Sequence, residues 1–133
     1  MAITFTIPGE PVPQPRPRVS TRGGFARAYV PAKHPVHAYR AAVADAARAA
    51  GASVHGEPVS VVIDFVASRP KSHYRKAGLK PDAPALPRFD IDNATKSVLD
   101  SLNGVAWEDD AQVARLVVEK SYGTEARTTV RIQ

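Results

Sequence analysis

A chain of 133 residues, 44% hydrophobic and 23% charged, has the size and composition of one domain with a modest core, not of a disordered charged tail. It has no cysteine, which excludes disulfides, thiol catalysis and thiolate metal sites; it shows neither an apolar run near the ~18 residues of a membrane span nor a secretion signal in its first ten residues, so a cytoplasmic protein is expected. A net charge of +5 and a pI near 9.8 suggest a polyanionic partner.

Ile3, Phe5 and Ile7 alternate with Thr4 and Thr6, the pattern of a strand. Pro8, Pro11, Pro13, Pro15 and Pro17 then forbid regular structure, so residues 9–31 read as a long loop carrying Arg16, Arg18, Arg22 and Arg27. The spacing of Val36, Tyr39, Val43, Ala46, Ala47 and Ala50 predicts a helix over 35–50, with Pro35 in its first turn and Gly51 at its stop. Val59 to Val66 is rich in β-branched residues and lies between Pro58 and Pro70, which predicts a strand buried on both faces or nearly so. Residues 69–88, with Pro70, Pro81, Pro84 and Pro87, form a second long loop holding Arg69, Lys71, Arg75, Lys76, Lys80 and Arg88 against Asp82 alone. A short helix over 93–103 ends at Asn103-Gly104, and strands over 113–120 and 128–132 are joined by a turn around Gly123. The order β-α-β-α-β-β predicts an α+β fold, one domain over 1–133, with helices packed against a mixed sheet.

Charge is distributed unevenly. Six acids, Asp90, Asp92, Asp100, Glu108, Asp109 and Asp110, fall in one short stretch whose only cation is Lys96, after two loops that are almost purely basic. Two basic loops beside an acidic cluster are the pattern of a phosphate-binding surface around a metal site, although solvated loops of either sign look the same. Asp90 and Asp92 lie two residues apart: on a helix they diverge by about 160°, whereas on an extended segment both face one side. The residues read as a strand-like entry presenting both carboxylates, capped by Asp92 or Asn93, then a helix with Ala94, Val98, Leu99 and Leu102 buried and Lys96 one turn beyond Asp92. One of Glu108, Asp109 and Asp110, in a turn after Trp107, can fold back to complete a cage. All-oxygen ligation without cysteine or convincing histidine spacing favours Mg²⁺ or Mn²⁺ over Zn²⁺, and such an ion suits phosphodiester hydrolysis with Lys96 on the phosphate or the attacking water. Taken alone, D-x-D followed by lysine equally describes a capped helix with surface ion pairs.

The whole string is more specific. Asp90-Ile91-Asp92-Asn93, Lys96, Asp100, Leu102-Asn103-Gly104, then Trp107 and Asp109-Asp110-Ala111-Gln112-Val113 resembles the RusA family of Holliday-junction resolvases, common in bacteria and their phages. The opening from Ile7 to Arg18, IPGEPVPQPRPR, resembles a subset of that family with a Gly-x-Pro turn and an R-P-R element. The resemblance implies a homodimeric, Mg²⁺-dependent endonuclease that makes paired nicks in four-way DNA junctions. By motif position it puts the metal-binding acids on Asp90, Asp92 and Asp110 and the catalytic lysine on Lys96; the charge pattern separately makes the arginines and lysines of the two loops the expected DNA contacts. A junction-binding protein of the same fold without cleavage is the alternative, and the intact Asp90, Asp92, Asp110 and Lys96 argue against it. A small RNA-binding module is the third reading, and the acidic cluster gives it no purpose.

The remaining candidates are weaker. Pro35 places His34 before the helix, so a cap or surface role suits His34 and His37 better than a metal pair. Gly23-Gly24 beside Ser20-Thr21 lacks the lysine and spacing of a phosphate-binding loop. Phe25, Tyr29 and Tyr74 either stack on unpaired bases or anchor their loops, and Trp107 is expected to pack under the acidic turn.

Overall fold

The computed structural model describes residues 2–133. Eight strands and two α-helices follow one another: β1 (Ile3–Pro8), β2 (Arg18–Ser20), β3 (Arg27–Tyr29), α1 (Val36–Ala49), β4 (Val59–Ser68), β5 (Tyr74–Arg75), β6 (Gly78–Leu79), α2 (Ile91–Leu102), β7 (Val113–Gly123) and β8 (Arg127–Ile132). Four of them form one mixed sheet in the order β1-β8-β4-β7. β4 pairs parallel with β7 and antiparallel with β8, which pairs antiparallel with β1. The α+β architecture with a mixed sheet is therefore as the sequence predicts.

α1 turns Val36, Tyr39, Val43 and Ala47 inward, the 3.6-residue stripe read from the sequence. It stops where Gly51 takes φ +93°, so that Ala52 N–H reaches back to Ala47 O at 3.0 Å and satisfies a terminal carbonyl. The core joins Tyr39, Val43 and Ala47 of this stripe to Val59, Val61, Ile63 and Phe65 of β4, Phe5 and Ile7 of β1, Val130 and Ile132 of β8, and Ala94, Val98 and Leu102 of α2. Within that core Tyr39 Oη and Thr128 Oγ1 share a hydrogen bond of 2.6 Å, so two buried hydroxyls satisfy each other. Burial of the phenol pushes its pKa up to about 12.

β4 is nearly buried on both faces, as expected, but its two faces are not equal. Val62 and Asp64 are only half-buried, on the face shared with Thr4, Thr6, Thr129 and Arg131. The core residues of both helices meet the opposite face, so this one keeps access to water. The connection from β7 to β8 also passes the end of β4, because β4 lies between them. Gly123 stands at that crossing, where a Cβ would lie 2.6 Å from Val66 Cγ1.

The two predicted loops each fold into a hairpin. β2 and β3 pair from Arg18 opposite Tyr29 to Ser20 opposite Arg27, around a tip where Gly23 and Gly24 take φ +80° and +82°. Prolines stop at Pro17, leaving every residue from Arg18 to Tyr29 an amide to donate. β5 and β6 pair Tyr74 with Leu79 and Arg75 with Gly78.

Candidate active site

The entry to α2 differs from expectation. The helix starts at Ile91, and its N-cap is Asp90, whose carboxylate accepts the Asp92 N–H at 2.9 Å while its carbonyl accepts the Ala94 N–H at 3.0 Å. Asp90 at φ −71°, ψ 123° ends the extended segment and Asp92 already sits in the first helical turn, so the two carboxylates do not share an extended face. Asp90 folds back on its own helix, and Asp92 lines a groove of about 590 Å³.

One wall of this groove is a face of α2 bearing Asp92, Lys96, Leu99 and Asp100. The other is built by Asp110, from the turn after Trp107, and by Leu116 and Val118 of β7. Of the predicted site residues, Asp92, Lys96 and Asp110 are thus brought together, Asp100 joins them, and Asp90 stands at the cap. Leu99, read as core, is half-buried because it faces the groove.

The acidic turn is held by a device the sequence reading missed. Asp109 caps a single 3₁₀ turn, Asp110–Gln112, by accepting the Ala111 N–H at 3.1 Å. Gln112 Oε1 accepts the N–H groups of Glu108 at 2.8 Å and Asp109 at 3.2 Å. Its Nε2 donates to His55 O at 2.7 Å and Glu57 O at 3.0 Å, fastening the turn to the approach to β4. An acid followed three residues later by glutamine is a capping-box spacing, so the signal was present. Beneath the turn Trp107 is fully buried, as expected, and its Nε1–H donates to Asn103 Oδ1 at 2.8 Å.

The charges in the groove interact. The carboxyl of Asp110 is held above the ordinary carboxylate range, first by burial, then by a hydrogen bond to Asp109 and the negative charges of Asp109 and Asp100, against the opposing pull of Lys96. Repelling carboxylates with oxygen-only donors suit a hard divalent cation, so the chemistry of the donor set fits such an ion. Among the described residues no three acidic or histidine side chains already lie close enough to enclose one.

The basic residues fall into two groups. Arg16, Arg18, Arg22 and Arg27 on the first loop, and Lys71, Arg75, Lys76, Lys80 and Arg88 on the second, are exposed. Arg69 is not outward-facing: it donates to Pro84 O at 2.7 Å and lies 4.3 Å from the centre of the Tyr122 ring, which ties the second loop to β7. Among the described residues the one ion pair is Arg48–Asp45 on α1, so no loop cation is paired with an acid. Phe25, Tyr29 and Tyr74 are exposed and do not anchor their loops. Phe89, immediately before the acids, packs edge-on against Phe65 with ring centres 5.8 Å apart. His34 Nδ1 accepts the Val36 N–H at 3.0 Å, and His37 Nε2 lies 3.0 Å from Pro31 O; both serve the start of α1.

Comparison with known proteins identifies the family. The family described as endodeoxyribonuclease RusA matches residues 8–133. An uncharacterized protein, YqaN of Bacillus subtilis (strain 168), is 35% identical over 136 residues, covering 98% of this chain and 95% of that protein. With the family match running from the end of β1 through the capped α2 and the acidic turn to the last residue, the chain belongs to the RusA endodeoxyribonuclease family.

Proposed function

We propose that this protein is a Mg²⁺-dependent endonuclease that resolves Holliday junctions by paired nicks during DNA recombination and repair, with Mn²⁺ as a possible substitute ion. The observation that carries the reading is the groove in which α2 and the turn before β7 bring Asp92, Lys96 and Asp110 to one place, beside loops whose cations have no acid partner among the described residues. Asp90, Asp92 and Asp110 would hold the metal. A bound divalent ion supplies Lewis acidity to a phosphodiester and makes an attacking hydroxide available near neutral pH.

The chain's own residues do the rest. Lys96 places an ammonium where it can donate to a non-bridging phosphate oxygen and offset the charge that builds there. Asp109 and Gln112 fix the turn that aims Asp110, and burial of Trp107 keeps that turn against the end of α2. The exposed arginines and lysines neutralise phosphates of the junction arms without reading sequence. Two nicks placed symmetrically require two such grooves, which supports a homodimer. The setting is the cytoplasm of a bacterium, with the gene either bacterial or phage-borne; no helix of the described residues is long and apolar enough to cross a membrane.

A labelled synthetic four-way junction, incubated with the protein with and without Mg²⁺, tests the proposal. Symmetric nicks only with Mg²⁺ are expected. Tight binding without nicks under either condition would favour a junction-binding protein, and absence of both would overturn the reading.

A further inference from the structure

The proline-rich segment after β1 is fastened to the helix that carries Lys96. Gln14 donates its backbone N–H to Asn93 O at 2.8 Å. One turn along α2, the fully buried Ser97 donates its hydroxyl to Val12 O at 2.7 Å. Beyond these two anchors Pro15 and Pro17 flank Arg16, and their rings fix φ on both sides of it. Arg16 is therefore not on a freely moving loop: it stands over a cleft of about 170 Å³ walled by Gln14, Pro15, Arg16, Pro17, Asn93 and Lys96.

Lys96 alone is common to this cleft and to the acidic groove. The two depressions are thus neighbours on either side of one ammonium: the groove includes three carboxylates, whereas the only charged residues lining the cleft are Arg16 and Lys96. A backbone crossing Lys96 from the groove meets Arg16 next, and Arg16 has no acid partner among the described residues.

We propose that Arg16 and Lys96 form a clamp for the DNA backbone in which Arg16 holds a phosphodiester adjacent to the one being cut. The inference rests on the reading that the acidic groove cuts DNA, and it gives Arg16 a role separate from the other loop cations. Its guanidinium fork can take two oxygens of one phosphate, a geometry an ammonium cannot copy. Holding the neighbouring phosphate sets which bond lies in the groove, so Arg16 positions the substrate and does not take part in bond making.

The test combines protein and substrate changes. Single-turnover cleavage of a four-way junction at saturating enzyme is measured for wild type, Arg16→Ala, Arg16→Lys and the control Arg48→Ala, whose side chain is paired with Asp45 on α1. The same proteins are then given junctions bearing one uncharged methylphosphonate linkage, moved stepwise to either side of the cut. Arg16→Ala is expected to lose at least about tenfold in rate on the native junction, the scale of one well-placed charged hydrogen bond; Arg16→Lys should recover only part and Arg48→Ala should match wild type. At one linkage next to the cut the wild-type rate should fall to that of Arg16→Ala, with no further loss in the variant. A normal Arg16→Ala rate, or losses that simply add at every position, would overturn the clamp while leaving the nuclease reading intact. Failure of the wild type to nick the native junction would overturn both.

Discussion

Asp90 does two jobs in this account, and they can be separated by substitution. In the structure its carboxylate caps α2 through the Asp92 N–H at 2.9 Å, and in the proposed function it also binds the metal. Replacing an N-cap acid by alanine costs ~1 kcal/mol, while asparagine caps as well as aspartate. Asp90→Asn loses a favourable charge near the helix N-terminus, worth ~0.3–1 kcal/mol, but is relieved of repulsion from Asp92, so its net change in stability stays near ~0.5 kcal/mol or less. For a chain of this length 1 kcal/mol corresponds to roughly 3–5 °C in Tm. Thermal unfolding in EDTA should therefore show Asp90→Ala several degrees below wild type and Asp90→Asn nearly level with it. Cleavage should sort the variants differently: both should lose at least about 100-fold at saturating enzyme, the upper range for disturbing a group that merely supports a metal ligand. Asp92→Asn should behave like Asp90→Asn, and both should bind the junction as well as wild type or better, because a negative charge facing the phosphates has been removed. An Asp90→Asn protein that cuts at the wild-type rate would refute the reasoning and leave Asp90 as a cap alone.

Three further outcomes are expected. Replacing Arg75 and Lys76 by alanine should weaken junction binding and reduce the magnitude of its salt dependence by about one unit per lost phosphate contact, with cleavage at saturating protein retained; an unchanged slope in a binding titration would turn the β5–β6 hairpin away from the DNA. Because folding raises the Asp110 pKa, the folded chain binds that proton more tightly than the unfolded one, and the ionised carboxyl destabilises the fold as pH rises through the shifted value. Asp110→Asn should thus raise Tm at neutral pH in EDTA, with the gain closing as pH falls below the ordinary carboxylate range. Tyr39→Phe strands the buried hydroxyl of Thr128 and should cost about 1–3 kcal/mol by denaturant unfolding, much of it recovered when Thr128→Val removes the stranded partner.

Periodicity made the body of the fold legible. The stripe of α1, the alternation of β1 and the β-branched run of β4 each reflect one face packing against the same core, and that is information a local window carries. The hairpins at 18–29 and 74–79 were harder, because exposed two- and three-residue strands have no buried face to impose a pattern. β4 is buried on both faces or nearly so, as its β-branched run predicts, but such a run does not record which side the helices cover. At the groove, Asp92 and Lys96 were expected together from their one-turn spacing, while Asp110 was singled out from its acidic neighbours only by the family resemblance, and the helix of α2 begins two residues before its expected start. Asp90, Asp92 and Asn93 are all good caps, and the choice is made by the backbone turning at Asp90. The fastening role of Gln112 is not legible locally for a related reason: its Nε2 bonds to His55 O and Glu57 O, more than fifty residues away. The packing of Arg69 is not legible locally either, because the ring of Tyr122 and the carbonyl of Pro84 that receive it are distant in sequence.

The most direct test of the central claim is the single-turnover rate of Lys96→Ala and Lys96→Arg on a four-way junction at saturating Mg²⁺ and enzyme, where binding and release no longer contribute. Lys96 lines the groove with Asp92, Asp100 and Asp110, and an ammonium there acts as a compact donor that a planar guanidinium does not replace. Both variants should bind the junction yet cut at least ~100-fold more slowly, the lower range for a group acting on the reacting centre. Wild-type rates in both would contradict the account.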